Sequence, residues 1–252
     1  MSPPRPVVLL HGWTMRGAVF APLAARLGPG FACVAPDLPG HGAAREVPGG
    51  LGTCAGVLAD VLAALPAPAL VVGWSMGAAV AWTYAARHGV GRMAGLITID
   101  MAPRLVNGPD WQAGLLGQTP ARLRQTVEEI RGDWPVAAQK IARTMFARRE
   151  GGADLSREAA AALVLDNDPA RIAPYWDEML AMDLRPAIPA LRLPYLVAHG
   201  GQSRVYPAAA AEWLAATAPQ ARRLAFAASG HSPHLEEPET FAAAIRDFAA
   251  AL

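Results

Sequence analysis

Six short apolar runs punctuate the chain: Val7–Leu10, Phe31–Ala35, Leu70–Val72, Leu96–Ile99, Leu196–Ala198 and Leu224–Phe226. They lack the in-out alternation of a strand with one wet face, and continuous runs of this length suit parallel strands covered on both sides. Amphipathic stretches of helical length lie between them, at Phe20–Leu27, Cys54–Leu65, Ala78–Arg87, Ala208–Thr217 and Pro238–Ala250. This rhythm predicts an α/β architecture: an open, mainly parallel sheet of about six strands, right-handed crossovers and flanking helices.

The rhythm breaks between Ala102 and Pro194, where the pattern is helical throughout. Pro120–Arg131, Pro135–Arg149, Ser156–Leu165 and Pro169–Met182 all read as helices, most opened by Pro or Ser. So long an interval cannot be one crossover helix. It predicts a helical lid over residues 103–189, inserted into a core made of 1–102 and 190–252. Such a lid would rest on the carboxyl edge of the sheet, where open α/β folds bind ligands.

Composition narrows the classes of function. With 252 residues, 53% of them hydrophobic, and a formal net charge of +1, neither disorder nor a broad nucleic-acid surface is indicated. The N-terminal apolar run is too short for a signal peptide, and no later run would cross a bilayer, so a soluble cytoplasmic protein is expected. Cys33 and Cys54 are too few for a disulfide framework. The six histidines show no metal-binding spacing, so a metal site is not expected.

Three motifs carry chemistry. Gly73-Trp74-Ser75-Met76-Gly77 lies between a strand and a helix, the context of a nucleophile elbow, which aims Ser75 outward at a helix N-terminus. His11-Gly12-Trp13 closes the first strand. The backbone N–H groups of Trp13 and Met76 would together form an oxyanion hole, whereas the His11 side chain reads as a buried bracing group. Ser229-Gly230-His231-Ser232-Pro233-His234 follows the last strand; His231 is the expected base, and His234 is expected to pack or cap.

Together with Asp37-Leu38-Pro39-Gly40-His41-Gly42, these motifs make the chain resemble the α/β-hydrolase superfamily over nearly its whole length. The likeness is strongest to small capped carboxylesterases of the pimeloyl-carrier-protein methyl ester esterase type, with lactonases and perhydrolases of similar layout. It implies the α/β-hydrolase fold, a serine–histidine–acid triad, no cofactor, and a lid shaping the acyl pocket. Asp37 and His41 are then loop-bracing groups.

One part of that pattern is missing. At His199-Gly200-Gly201-Gln202-Ser203-Arg204, most such relatives carry Asp where this chain has Ser203. Asp100, directly after Leu96–Ile99, ends one strand over on the same edge and is the preferred acid, which would leave Ser203 a bystander. Two alternatives stand beside it. A lid carboxylate could serve (Asp166, Asp168 or Asp183), or the chain could be a Ser–His dyad or a catalytically silent ligand-binding protein.

The expected substrate is a small-molecule carboxylic ester, with thioesters and lactones as variants. Trp74, Met101, Trp134, Phe146 and Trp176 are expected to line an apolar acyl pocket. Arg122, Arg124, Arg131, Lys140, Arg143, Arg148 and Arg149 outnumber the nearby acids of the lid, so an acyl-carrier protein is a candidate partner beside the plainer reading of a solvated face.

Overall fold

All six expected strands form one parallel sheet in the computed structural model, which describes residues 3–252. They are β1 (Arg5–Leu10), β2 (Phe31–Val34), β3 (Ala69–Trp74), β4 (Met93–Ile99), β5 (Tyr195–Gly200) and β6 (Ala221–Phe226), in the order β2-β1-β3-β4-β5-β6. The expected burial of both faces holds for β1, β3, β4 and β5 but not at the two edges. Alternate residues of β2 are exposed, and Arg222, Arg223, Leu224 and Ala225 of β6 face solvent.

The helices flanking the sheet are α1 (Ala21–Leu27), α2 (Leu51–Ala64), α3 (Met76–His88), α8 (Ala208–Thr217) and, after β6, the short α9 (Pro233–Glu236) and α10 (Pro238–Ala250). Side chains that alternate along the strands enter two separate cores. Val8, Leu10 and Val71 pack with α2, α3 and α8, while Val7, Leu9, Leu70 and Val72 pack with α1 and α10. Among the described residues no helix is long and apolar enough to cross a membrane.

Between β4 and β5 the chain forms α4 (Pro120–Gly132), α5 (Trp134–Thr144), α6 (Arg157–Leu165) and α7 (Pro169–Ala181). Their starts follow from local chemistry: Thr119, Asp133, Ser156 and Asp168 each accept a backbone N–H from the first turn, and three of the four helices carry Pro there. The insertion enters and leaves at one point, where Arg104 bridges Asp183 and Leu184 N donates to Pro103 O at 2.8 Å. Its apolar side chains join the two sheet cores rather than forming a third.

One helix boundary differs from expectation. The segment read as helical to Arg149 leaves the helix after Thr144. Phe146 turns into the core, Ala147 N donates to the Glu236 carboxylate at 2.7 Å, and Ala147 O accepts from Arg204 at 2.9 Å. These partners replace the next helical turn.

Candidate active site

Three strand ends meet above the sheet, and each bears a strained residue. Thr14, Ser75 and Asp100, with φ of 68°, 51° and 45°, are the only non-glycine residues of positive φ among those described. They follow β1, β3 and β4, and such conformations persist only where their surroundings enforce them. Here the ladder enforces two of them: Ser75 N donates to Ile99 O at 3.0 Å and Asp100 N to Ala198 O at 2.9 Å.

The turn at Ser75 needs glycine on both sides. A Cβ on Gly73 would stand 2.5 Å from Gly77 O, and one on Gly77 would stand 2.2 Å from Leu10 O. Close approach of α3 to β1 and β3 therefore fixes both residues. The His11–Trp13 loop lies alongside, since a Cβ on Gly12 would come within 3.4 Å of Ser75 Cβ. Neither Trp13 N nor Met76 N donates to another described residue, which leaves two backbone donors open beside Ser75.

His231 arrives from the loop after β6. Gly200 makes room for it, because a Cβ there would sit 1.7 Å from Gly230 O. Glu236 ties the loop down, accepting from Gly230 N (2.8 Å), Ser232 N (3.2 Å) and Ala147 N of the insertion (2.7 Å); burial pushes its pKa up. Trp74 Nε1 donates to His231 O at 2.9 Å. The imidazole is buried, and its Nδ1 lies 2.7 Å from Asp100 Oδ2. A nitrogen facing a carboxylate carries the proton, so Nε2 is left as the basic nitrogen. Ser75 and His231 line the same cavity.

Asp100 is 3% exposed and accepts from Gly200 N (3.2 Å), His231 Nδ1 (2.7 Å) and Ser203 Oγ (2.7 Å). Ser203 is thus no bystander. Its hydroxyl stands at the strand end expected to carry an acid and donates to the carboxylate one strand over. The acids of the insertion are engaged elsewhere: Asp166 pairs with Arg16, Asp168 caps α7 and Asp183 pairs with Arg185.

His11 and His234 lie apart from the Asp100–His231 contact, buried as bracing and packing groups. His11 Nε2 accepts from Leu38 N at 2.9 Å, and burial, reinforced by His41, lowers its pKa to about 3. Asp37 braces its loop by accepting from Gly17 N and Ala43 N. His234 is wedged between Phe20, Trp74 and Phe241 with both ring nitrogens unpartnered, and burial lowers its pKa to about 3.

The cavity measures about 330 Å³. Trp74 and Trp176 line it, as expected, with Trp13 stacked on Trp176 at 5.2 Å. Met101, Trp134 and Phe146 do not. Met101 lies behind Asp100 and accepts from the Tyr206 hydroxyl, while Trp134 and Phe146 are sunk in the core beneath the insertion. Their places are taken by Leu123 and Ile130 of α4, Ile141 of α5, Leu105, Met179 and Tyr206. Sequence reasoning missed these. The helical spacing of Leu123, Thr126 and Ile130, then Ala137, Ile141 and Thr144, is the signal that could have found two of the walls. Arg122, Lys140 and Arg204 reach the same cavity beside a single acid, Glu129.

A strained serine at a strand–helix turn, an imidazole held by a carboxylate and two open backbone donors, on a parallel sheet with a helical insertion, together define a class. The chain belongs to the alpha/beta hydrolase family, whose pattern it matches over residues 7–244. Within that class it is similar to the pimeloyl-[acyl-carrier protein] methyl ester esterase of Chromobacterium violaceum, at 31% identity over 96% of this chain and 92% of the relative. The enzyme of the same name from Stenotrophomonas maltophilia is 35% identical over 98% and 93%. The esterase EaEST from Exiguobacterium antarcticum shares the fold, with a TM-score of 0.89 and 24% identity over 98% of this chain and 92% of that one.

Proposed function

We propose that the protein is a carboxylesterase-type serine hydrolase with Ser75 as nucleophile, His231 as base and Asp100 as the triad acid. The observation that carries this reading is the 2.7 Å contact between Asp100 Oδ2 and His231 Nδ1, on an imidazole that shares its cavity with Ser75. The Ser75 proton passes to His231 Nε2 as Oγ attacks the ester carbonyl. Trp13 N and Met76 N receive the oxyanion, an interaction worth about 3–4 kcal/mol per donor in the transition state. Collapse breaks the acyl C–O bond, and the alcohol leaves with the proton from His231. Water, deprotonated by the same nitrogen, then attacks the acyl-enzyme and frees Ser75 with release of the acid. Residues 103–189 act as the lid of this site, on a core formed by 1–102 and 190–252.

The names of the relatives support a finer reading, a methyl ester of an acyl group carried by an acyl-carrier protein. The aliphatic and aromatic cavity walls suit an acyl chain. Arg124, Arg143, Arg148 and Arg149 form no salt bridge among the described residues, leaving their charge available to an acidic carrier. The silent-binder alternative drew on a missing acid, and the Asp100–His231 contact supports the enzyme reading over it.

Labelling by a fluorophosphonate probe tests the central reading: folded wild-type protein should label and Ser75→Ala should not. Absence of labelling beside a reactive control esterase would overturn it. For the finer reading, methyl esters of carrier-bound acyl groups should be cleaved with a lower KM than the same free acyl esters. Equal KM values would remove the carrier from it.

A further inference from the structure

Asp100 Oδ2 receives two short hydrogen bonds, one from His231 Nδ1 and one from Ser203 Oγ, each 2.7 Å long. The other carboxylate oxygen has a single longer bond, 3.2 Å from Gly200 N. A serine hydroxyl has one proton and two lone pairs. Val205 N and Tyr206 N both donate to Ser203 Oγ at 3.2 Å, so the lone pairs are engaged and the proton points to Asp100. The donor is therefore oriented before Asp100 meets it. Its backbone is oriented too, since Ser203 N donates to Gly200 O in the turn that follows β5.

We propose that Ser203 is a positioning residue of the esterase, holding the Asp100 carboxylate in the one orientation that meets His231; this rests on the triad reading above. Asp100 sits at the end of its strand, with its backbone anchored to β5 and its side chain free to turn about two bonds. The His231 bond fixes Oδ2, and the longer bond from Gly200 N holds Oδ1. The Ser203 bond adds a second donor on Oδ2 and, being charge-assisted, is among the stronger kinds of hydrogen bond. Ser203 does not itself line the cavity or touch the nucleophile; its Oγ accepts from Val205 N and Tyr206 N of the lining, and its one proton goes to Asp100.

The test is a mutant cycle on p-nitrophenyl ester hydrolysis, with folding checked by circular dichroism. Ser203→Ala should lower kcat about tenfold, the low end of what a hydrogen bond to a charged group is worth, with KM within about twofold of wild type. Ser203→Thr, which restores the hydroxyl, should recover most of the loss. In an Asp100→Asn background, Ser203→Ala should cost less than about twofold, because its route of action is already cut. The low-field proton resonance of His231 Nδ1 should move in Ser203→Ala and keep its place in Ser203→Thr.

A Ser203→Ala enzyme within about twofold of wild-type kcat would overturn the proposal. So would a tenfold loss repeated in the Asp100→Asn background, which would mark Ser203 as a mere turn brace. Should Ser203→Ala fail to fold, Ser203→Cys, similar in size but a weak donor, takes its place with the same criteria. Should wild-type protein neither label nor turn over, the triad reading fails by itself. The Nδ1 resonance then still decides whether Ser203 acts on the Asp100–His231 pair.

Discussion

Asp100 combines a left-handed backbone, near-complete burial and a carboxylate whose Oδ2 is shared by an imidazole and a hydroxyl. Asparagine is nearly the same shape and accepts the same backbone strain, so Asp100→Asn isolates the charge. The amide can turn a donor toward Nδ1, which favours the wrong imidazole tautomer, and it cannot stabilise the imidazolium. Loss of at least about a thousandfold in kcat is expected, in keeping with the effect of this exchange in the serine-protease triad. Steady-state kinetics on a soluble ester check it, and near-normal kcat would remove Asp100 from the triad. The placement of Ser75, His231 and Asp100 after strand ends on one edge was legible in the sequence, because each lies in a short window that announces a strand end. The Ser203–Asp100 bond was not, because it joins residues 103 positions apart through the register of β4 and β5. No local pattern encodes that pairing.

At the scale of elements, the nucleophile turn works because α3 can press against β1 and β3. Gly77→Ala would put a methyl carbon 2.2 Å from Leu10 O, which is backbone and has no side-chain freedom with which to yield. The variant should lose about 1–3 kcal/mol or more of stability, and any folded fraction should label slowly because Ser75 has shifted. Urea unfolding and probe-labelling rates measure the two effects, and wild-type values for both would contradict this account of the glycine. The strand and helix order was legible from apolar runs and amphipathic spacing, and four insertion helices were found from their caps. Which side of those helices faced the cavity was not. Trp134 and Phe146 are large apolar residues that fit a pocket or a core equally well by type; packing of the insertion onto the β1–β3 face sent them to the core. The same packing left Leu123, Ile130 and Ile141 on the cavity side.

Across the whole molecule, burial has left four of the six histidines reluctant to take a proton: His11, His41, His199 and His234 all have lowered pKa values, His11 and His234 to about 3. In the unfolded chain the same imidazoles are protonated below about pH 6.5. Unfolding therefore takes up protons in that range. Stability is fully present above pH 6.5 and is lost progressively as pH falls toward the folded pKa values. His234 offers the cleanest test, since its ring stacks among Phe20, Trp74 and Phe241 and gives no hydrogen bond that a substitution would sacrifice. His234→Phe should remove one proton from the uptake, reducing the fall in unfolding free energy near pH 5 by about 1.4 kcal/mol per pH unit. His11→Phe is the contrast: it strands Leu38 N, which now donates to His11 Nε2, and so should destabilise the protein at pH 8 as well. Urea unfolding of the three proteins between pH 8 and pH 5 measures these slopes. A His234→Phe curve parallel to wild type would mean that this imidazole takes up no extra proton on unfolding, and would overturn this account of its burial.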